Sequence, residues 1–201
     1  MKRTLIVLIS MILFGCKENS KKTTPLEVAN NTIEQNENSI INIIPIEHAT
    51  TVLEWNDITI YIDPVGGASA FEGQKQPDLI LITDIHGDHL SIETLEALNT
   101  KKAKIMVPQA VADKMPENFT PQLDVLNNGD TKERYGISVE AIPMYNLREE
   151  ALKFHEKGRG NGYVLQIGDH RLYFSGDTED IPEMRALENI DKAFICMNLP
   201  Y

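Results

Sequence analysis

Asp84, His86, Asp88 and His89 place four potential metal ligands within the six residues Asp84-Ile85-His86-Gly87-Asp88-His89. Imidazole nitrogens mixed with carboxylate oxygens suit zinc, and also iron or manganese. The chain has only 5 histidines, so two of them three apart beside two aspartates form a concentration that chance rarely gives. The alternative is a polar surface turn. Gly87 would permit a tight or left-handed turn, letting side chains on either side converge. A metal held by such residues would lower the pKa of bound water and so give a nucleophile at neutral pH. Further on, Ser175-Gly176-Asp177-Thr178, taken alone, reads as a capping turn before a helix.

The flanking elements must position these groups. Leu79 to Thr83 is a continuous apolar run, typical of a strand buried on both faces, and it leads directly into Asp84. Upstream, Ile40–Ile46, Thr51–Trp55 and Ile58–Ile62 read as strands, with Asn56-Asp57 as a hairpin turn. Downstream, Ser91 is a good N-cap for a helix over Ile92–Asn99. A strand Ile105–Val107, a short helix Gln109–Lys114 and strands Leu123–Leu126 and Ile137–Ile142 follow. Tyr163–Ile167 and Arg171–Phe174 pair as a hairpin. Ile181–Asn189 reads as a helix with Pro182 in its first turn, and Ala193–Met197 as a last strand. The class is α/β, an antiparallel meander leading into alternating units.

Composition bounds the function. The 201 residues suit one domain plus a targeting segment, and 42% hydrophobic residues can bury a core. The net charge of -11 argues against a nucleic-acid partner, which would call for a basic patch. Two cysteines, Cys16 and Cys196, exclude a disulfide framework. Lys2 and Arg3 precede an apolar run, Thr4 to Gly15, too short to span a bilayer comfortably. It ends in Leu13-Phe14-Gly15-Cys16, which resembles the lipobox of bacterial lipoproteins. Residues 1–15 are thus expected to be a signal peptide. Cys16 would then be the lipidation site and Cys196 a buried thiol. The polar stretch 16–38 would be a tether, and 39–201 the domain. The expected location is the bacterial cell envelope, lipid-anchored to a membrane.

Thr83-Asp84-Ile85-His86-Gly87-Asp88-His89 resembles the Thr-His-x-His-x-Asp-His motif of the metallo-β-lactamase fold. Three further marks agree. Glu47-His48-Ala49-Thr50-Thr51-Val52-Leu53 is similar to the opening strand of the branch holding ascorbate-phosphate lactonases and phospholipase-D-like phosphodiesterases. Tyr61-Ile62-Asp63-Pro64 matches that branch's strand ending in Asp-Pro. Ser175-Gly176-Asp177-Thr178 matches the Gly-Asp element. The resemblance implies an αβ/βα sandwich and two zinc ions sharing a hydroxide. His86 would ligate the first ion, Asp88 and His89 the second, and Asp177 both. Asp88 would also carry protons. Asp63 would orient a ligand from outside the coordination sphere. His48 is either in the site or a strand-end histidine bonded to backbone. The implied activity is hydrolysis of a small-molecule ester, lactone or phosphodiester.

Three departures from the family pattern stand in the sequence. Asp84 replaces the first family histidine, which would favour iron or manganese somewhat more. After the strand Ile137–Ile142 the family histidine is missing, and the nearby His155 is a ligand, a substrate contact or an exposed loop residue. It lies beside the glycine-rich stretch Gly158–Gly162, which could form a lid. A last family histidine is expected beyond Ala193–Met197, but the sequence stops at Tyr201, as a truncated form lacking its final strand and helix would. These departures motivate two alternatives. One is a mononuclear enzyme using a subset of His86, Asp88, His89 and Asp177; the other is a non-catalytic lipoprotein with a decayed metal site that binds a ligand or partner. Met144, Tyr145 and Phe154 could line an apolar pocket, though core packing is the commoner role for such residues.

Overall fold

The computed structural model describes residues 40–197. The first sheet has six strands in sequence order: β1 (Asn42–Glu47), β2 (Thr50–Trp55), β3 (Ile58–Ile62), β4 (Leu79–Leu81), β5 (Lys104–Val107) and β6 (Leu123–Val125). The meander β1–β2–β3 is antiparallel, and β3 through β6 pair in parallel. Asn56, at φ 53°, takes the left-handed conformation that the tight β2–β3 turn requires. The expected change from meander to alternating units therefore falls between β3 and β4.

The second sheet has five strands in the order β11-β10-β9-β8-β7. They are β7 (Thr131–Arg134), β8 (Ile137–Met144), β9 (Gly160–Ile167), β10 (His170–Phe174) and β11 (Lys192–Phe194). Only the β10–β11 pair is parallel. Strand β7 is absent from the sequence reading because Thr131-Lys132-Glu133-Arg134 carries no apolar alternation. Charge holds it: Lys132 Nζ and Arg134 Nε lie 2.7 and 2.8 Å from the carboxylate of Asp124 on β6. A charged edge strand also discourages pairing with another chain.

Period-two alternation builds the layers. Leu79 and Leu81 face the second sheet and pack with Ile137, Val139 and Leu165, whereas Ile80 and Ile82 face outward onto Leu95, Val111 and Phe119. Leu95 belongs to helix α1 (Ile92–Ala97) and Val111 to α2 (Gln109–Ala112). All four residues from Leu79 to Ile82 are fully buried, as a strand covered on both faces must be. The outer face of the second sheet packs Ile142, Val164 and Tyr173 against Met184, Leu187 and Ile190 around α3 (Pro182–Arg185). Helix, sheet, sheet and helix thus stack as the expected αβ/βα sandwich.

Several expected bounds shift. Ser91 caps α1 as anticipated, its hydroxyl accepting from the Thr94 amide at 3.1 Å, but α1 ends at Ala97 and α2 at Ala112. Helix α3 stops at Arg185, and Asn189 is left-handed at φ 55°, so the segment after α3 lays Leu187 and Ile190 on the sheet without continuing the helix. The stretch Gly158–Gly162 is not all loop. Strand β9 begins at Gly160, and a Cβ on Gly162 would sit 2.9 Å from the carbonyl oxygens of Phe174 and Ser175. Glycine is needed there for close backbone packing. Met144 and Tyr145 are buried, as expected, but Phe154 is 52% exposed. The signal, the tether, Cys16 and the lipobox lie outside the described residues.

Candidate metal centre

The ligand-type side chains converge where β3, β4 and β10 end, beside the β1–β2 turn. Asp63 follows β3, Thr83 to His89 follow β4, Asp177 follows β10, and His48 occupies the turn. The β4 segment closes a right-handed turn, with the amides of His89 and Leu90 donating to the His86 carbonyl at 3.0 and 2.8 Å. Gly87 is not among the residues with positive φ, so its left-handed freedom is unused. Gly176 does use its own: it sits at φ 58°, and a Cβ would lie 2.5 Å from Met144 Sδ and 3.1 Å from Thr83 Cβ. This close approach sets Asp177 against the β4 end.

His89 is 1% exposed and firmly oriented. Its Nδ1 lies 2.8 Å from Asp63 Oδ2 and 2.9 Å from Thr83 Oγ1. Asp63 is held in turn by the Thr83 hydroxyl at 2.6 Å and the Thr83 amide at 2.7 Å. Its own backbone is left-handed at φ 44°, a strained state for a non-glycine residue. The Thr50 hydroxyl, donating to the Asp63 carbonyl at 2.6 Å, holds it there. Asp63 thus fixes the proton on His89 Nδ1 and aims Nε2 into the site, the usual task of a carboxylate behind a ligating histidine.

Nε2 of His89 is buried and makes no hydrogen bond, though Asp177 Oδ2 lies 3.4 Å away. Burial disfavours the imidazolium, yet Asp177 and Asp63 overcome it and push the pKa up to about 11. Burial likewise raises the Asp177 carboxyl, but His89 foremost, with Cys196 and His155, holds it well below the usual carboxylate range. The carboxylates around His89 thus favour positive charge at the buried Nε2, which a cation would also supply.

His48 Nε2 lies 3.0 Å from Asp88 Oδ2, so its bond is to a site carboxylate and not to backbone. His48 is also left-handed, at φ 48°. One ligand-type atom each from His48, Asp88 and His89 lie within 4.8 Å of one another, and the same holds for Asp84, His86 and His155. Asp177 Oδ2 stands between the groups, 3.4 Å from His89 Nε2 and 3.5 Å from His155 Nε2. The first group with Asp177 beside it fits a divalent metal: an orphaned buried imidazole nitrogen, a second imidazole and two carboxylates. A cleft of about 510 Å³ opens on this group, lined by His48, Asp88, His89, Asp177 and Cys196.

His155 is not an exposed loop residue. It is 9% exposed, and burial foremost holds its pKa below the ordinary histidine value. Sequence reading missed three residues that shape the site. Arg159 pairs with the fully buried Asp84, Nη2 to Oδ2 at 3.0 Å. Asn146 contacts His155 Nδ1 at 3.1 Å. Cys196 is only partly buried and reaches Asp177. An arginine between two glycines and an asparagine in a loop carry no local signal of this kind.

Residues 42–198 match the family model described as "Beta-lactamase superfamily domain", and the chain belongs to that family. It is 27% identical over 135 residues to the UPF0173 metal-dependent hydrolase of Thermococcus onnurineus, covering 65% of this chain and 59% of that protein. The chain thus spans about three fifths of the length of such curated relatives. The crystal structure of a protein assigned as a metal-dependent hydrolase from Parabacteroides distasonis superposes with a TM-score of 0.72 and 35% identity, covering 80% of this chain and 71% of that one. CmlA, a diiron β-hydroxylase from Streptomyces venezuelae, shares the fold, with a TM-score of 0.57 and 20% identity over 77% of this chain and 34% of its own. The fold therefore hosts more than one chemistry.

Proposed function

We propose that this chain is a metal-dependent hydrolase that cleaves an ester, lactone or phosphodiester bond of a small molecule in the cleft beside His89. The observation that carries the reading is the buried His89, with Nδ1 committed to Asp63 and Nε2 left unpartnered. The names of the Thermococcus and Parabacteroides relatives support a metal-dependent hydrolase. For the bond class, the support is the likeness of the segments around His48 and Asp63 to lactonases and phosphodiesterases.

His48, Asp88, His89 and Asp177 would hold the metal, whether zinc, iron or manganese. When bound, it would supply Lewis acidity and acidify water beside it. Asp88, 49% exposed and bonded to His48, would accept a proton at its carboxylate. Asp63 and Thr83 act through His89, keeping Nε2 available. In a panel of ester, lactone and phosphodiester substrates, turnover should be lost in His89→Ala, because the ion that would activate the water loses its oriented buried ligand. Chelator should abolish it, and added zinc or manganese restore it. Equal turnover in the variant and the parent chain would sink the reading.

We also propose that the chain is exported and acylated on Cys16, on the strength of Lys2, Arg3, the apolar run and the Leu13–Cys16 sequence. Radiolabelled palmitate should enter the parent chain in a bacterial host and not Cys16→Ser. Equal labelling of the two would refute the anchor.

A further inference from the structure

Asp84 stands where the family resemblance expects an imidazole ligand, and its surroundings give it other work. Arg159 Nε lies 3.2 Å from Oδ1 and Arg159 Nη2 3.0 Å from Oδ2, a two-pronged contact. His86 Nδ1 lies 2.8 Å from Oδ2. A carboxylate offers about four acceptor positions; the two guanidinium bonds take one on each oxygen, and His86 Nδ1 crowds Oδ2.

His155 is committed as well. Asn146 Nδ2 donates to the Ala151 carbonyl at 2.9 Å, which fixes that atom as the amide nitrogen. The same nitrogen faces His155 Nδ1 at 3.1 Å, so Nδ1 is an acceptor and the ring proton sits on Nε2. Nε2 is buried and makes no hydrogen bond; Asp177 Oδ2 and Asp84 Oδ2 lie 3.5 and 3.7 Å away. Within the group Asp84, His86 and His155, the His155 tautomer offers no lone pair at Nε2, and Asp84 offers only what its pairing with Arg159 leaves. The cleft, moreover, is lined by His48, Asp88 and His89 and by none of this second group.

We infer that this chain holds one metal ion, at His48, Asp88, His89 and Asp177, and that the Arg159 guanidinium with the His155 N–H stands in place of a second ion. This rests on the proposed metal-dependent reading. Arg159 supplies a fixed positive charge that compensates the buried Asp84. His155 supplies a buried N–H 3.5 Å from Asp177 Oδ2.

The test is manganese titration of the full chain, followed by elemental analysis and electron paramagnetic resonance, with the same titration of His155→Gln. The expected result is one ion per chain with an uncoupled six-line spectrum. Affinity in His155→Gln should fall by much less than the roughly 10–100-fold that losing even an outer partner of a metal ligand costs. Two ions per chain with a spin-coupled spectrum, as for ions roughly 3.5–4 Å apart, would overturn the inference and leave the hydrolase reading standing. So would loss of the ion in a folded His155→Gln. No bound ion in the parent chain would overturn both.

Discussion

Asp63→Asn should weaken metal binding by about 10–100-fold, the usual cost of losing the partner behind a ligating histidine. Asp63 accepts from the Thr83 amide, the Thr83 hydroxyl and His89 Nδ1. An asparagine of the same shape keeps one acceptor and turns the other into a donor. If that donor faces His89, Nδ1 must accept and the ring proton moves to Nε2, the nitrogen the metal needs. If the amide is turned the other way, its donor faces the Thr83 amide, and a buried clash of donors costs about 1–3 kcal/mol. Either way the ordered set of donors at the β4 end is broken. Competition against a chromophoric chelator measures the affinity, and the melting temperature separates the two orientations. Wild-type affinity and stability together would show that Asp63 does not set the His89 tautomer.

Much of this site is local in the chain and could be read there. Asp84 to His89 are contiguous, and the strand Leu79 to Ile82 announces itself by apolar residues without alternation. Asp177 and Asp63 each sit at a strand end, where backbone direction alone points them to one edge of the sheets. What could not be read depends on contacts across the fold. His155 reaches the site because the stretch after β8 folds back on itself, with the Asn146 amide bonded to the His155 carbonyl at 2.9 Å. Arg159 matters because the same stretch returns to Asp84, 75 residues away. Strand β7 is polar on both faces, and its partner charge on Asp124 belongs to the other sheet. The glycines Gly160 and Gly162 read as a loop because local composition cannot distinguish flexibility from close packing.

Metal affinity should rise about tenfold per pH unit from pH 6.5 to 8.5, roughly 100-fold in all, as expected for one proton released per ion. The proton comes from His89. Against the unfavourable effect of burial, Asp177 and Asp63 hold its pKa at about 11 in the metal-free chain, so a metal must displace a proton across the whole interval. An ordinary histidine, with a pKa of about 6.5, would release almost nothing above pH 7.5, and the affinity would level off there. Proton uptake by an indicator dye in weak buffer gives the count directly, and a plateau above pH 7.5 would refute the raised pKa. The same group sets the stability of the metal-free protein. Its folded pKa exceeds its unfolded one, so the stabilisation is fully present below about pH 6.5 and is lost as pH rises through about 11. The pKa of Asp177 is depressed, so its stabilisation is present above the unfolded carboxyl pKa of about 4 and is lost in stronger acid. The metal-free chain should therefore melt at a lower temperature at pH 8.5 than at 6.5. Loading at a fixed metal concentration should raise the melting temperature more at pH 8.5, because affinity and the stability it confers grow together. Opposite pH slopes for the melting temperature of the metal-free chain and for the increment on loading would mark His89 as the residue that exchanges its proton for the metal.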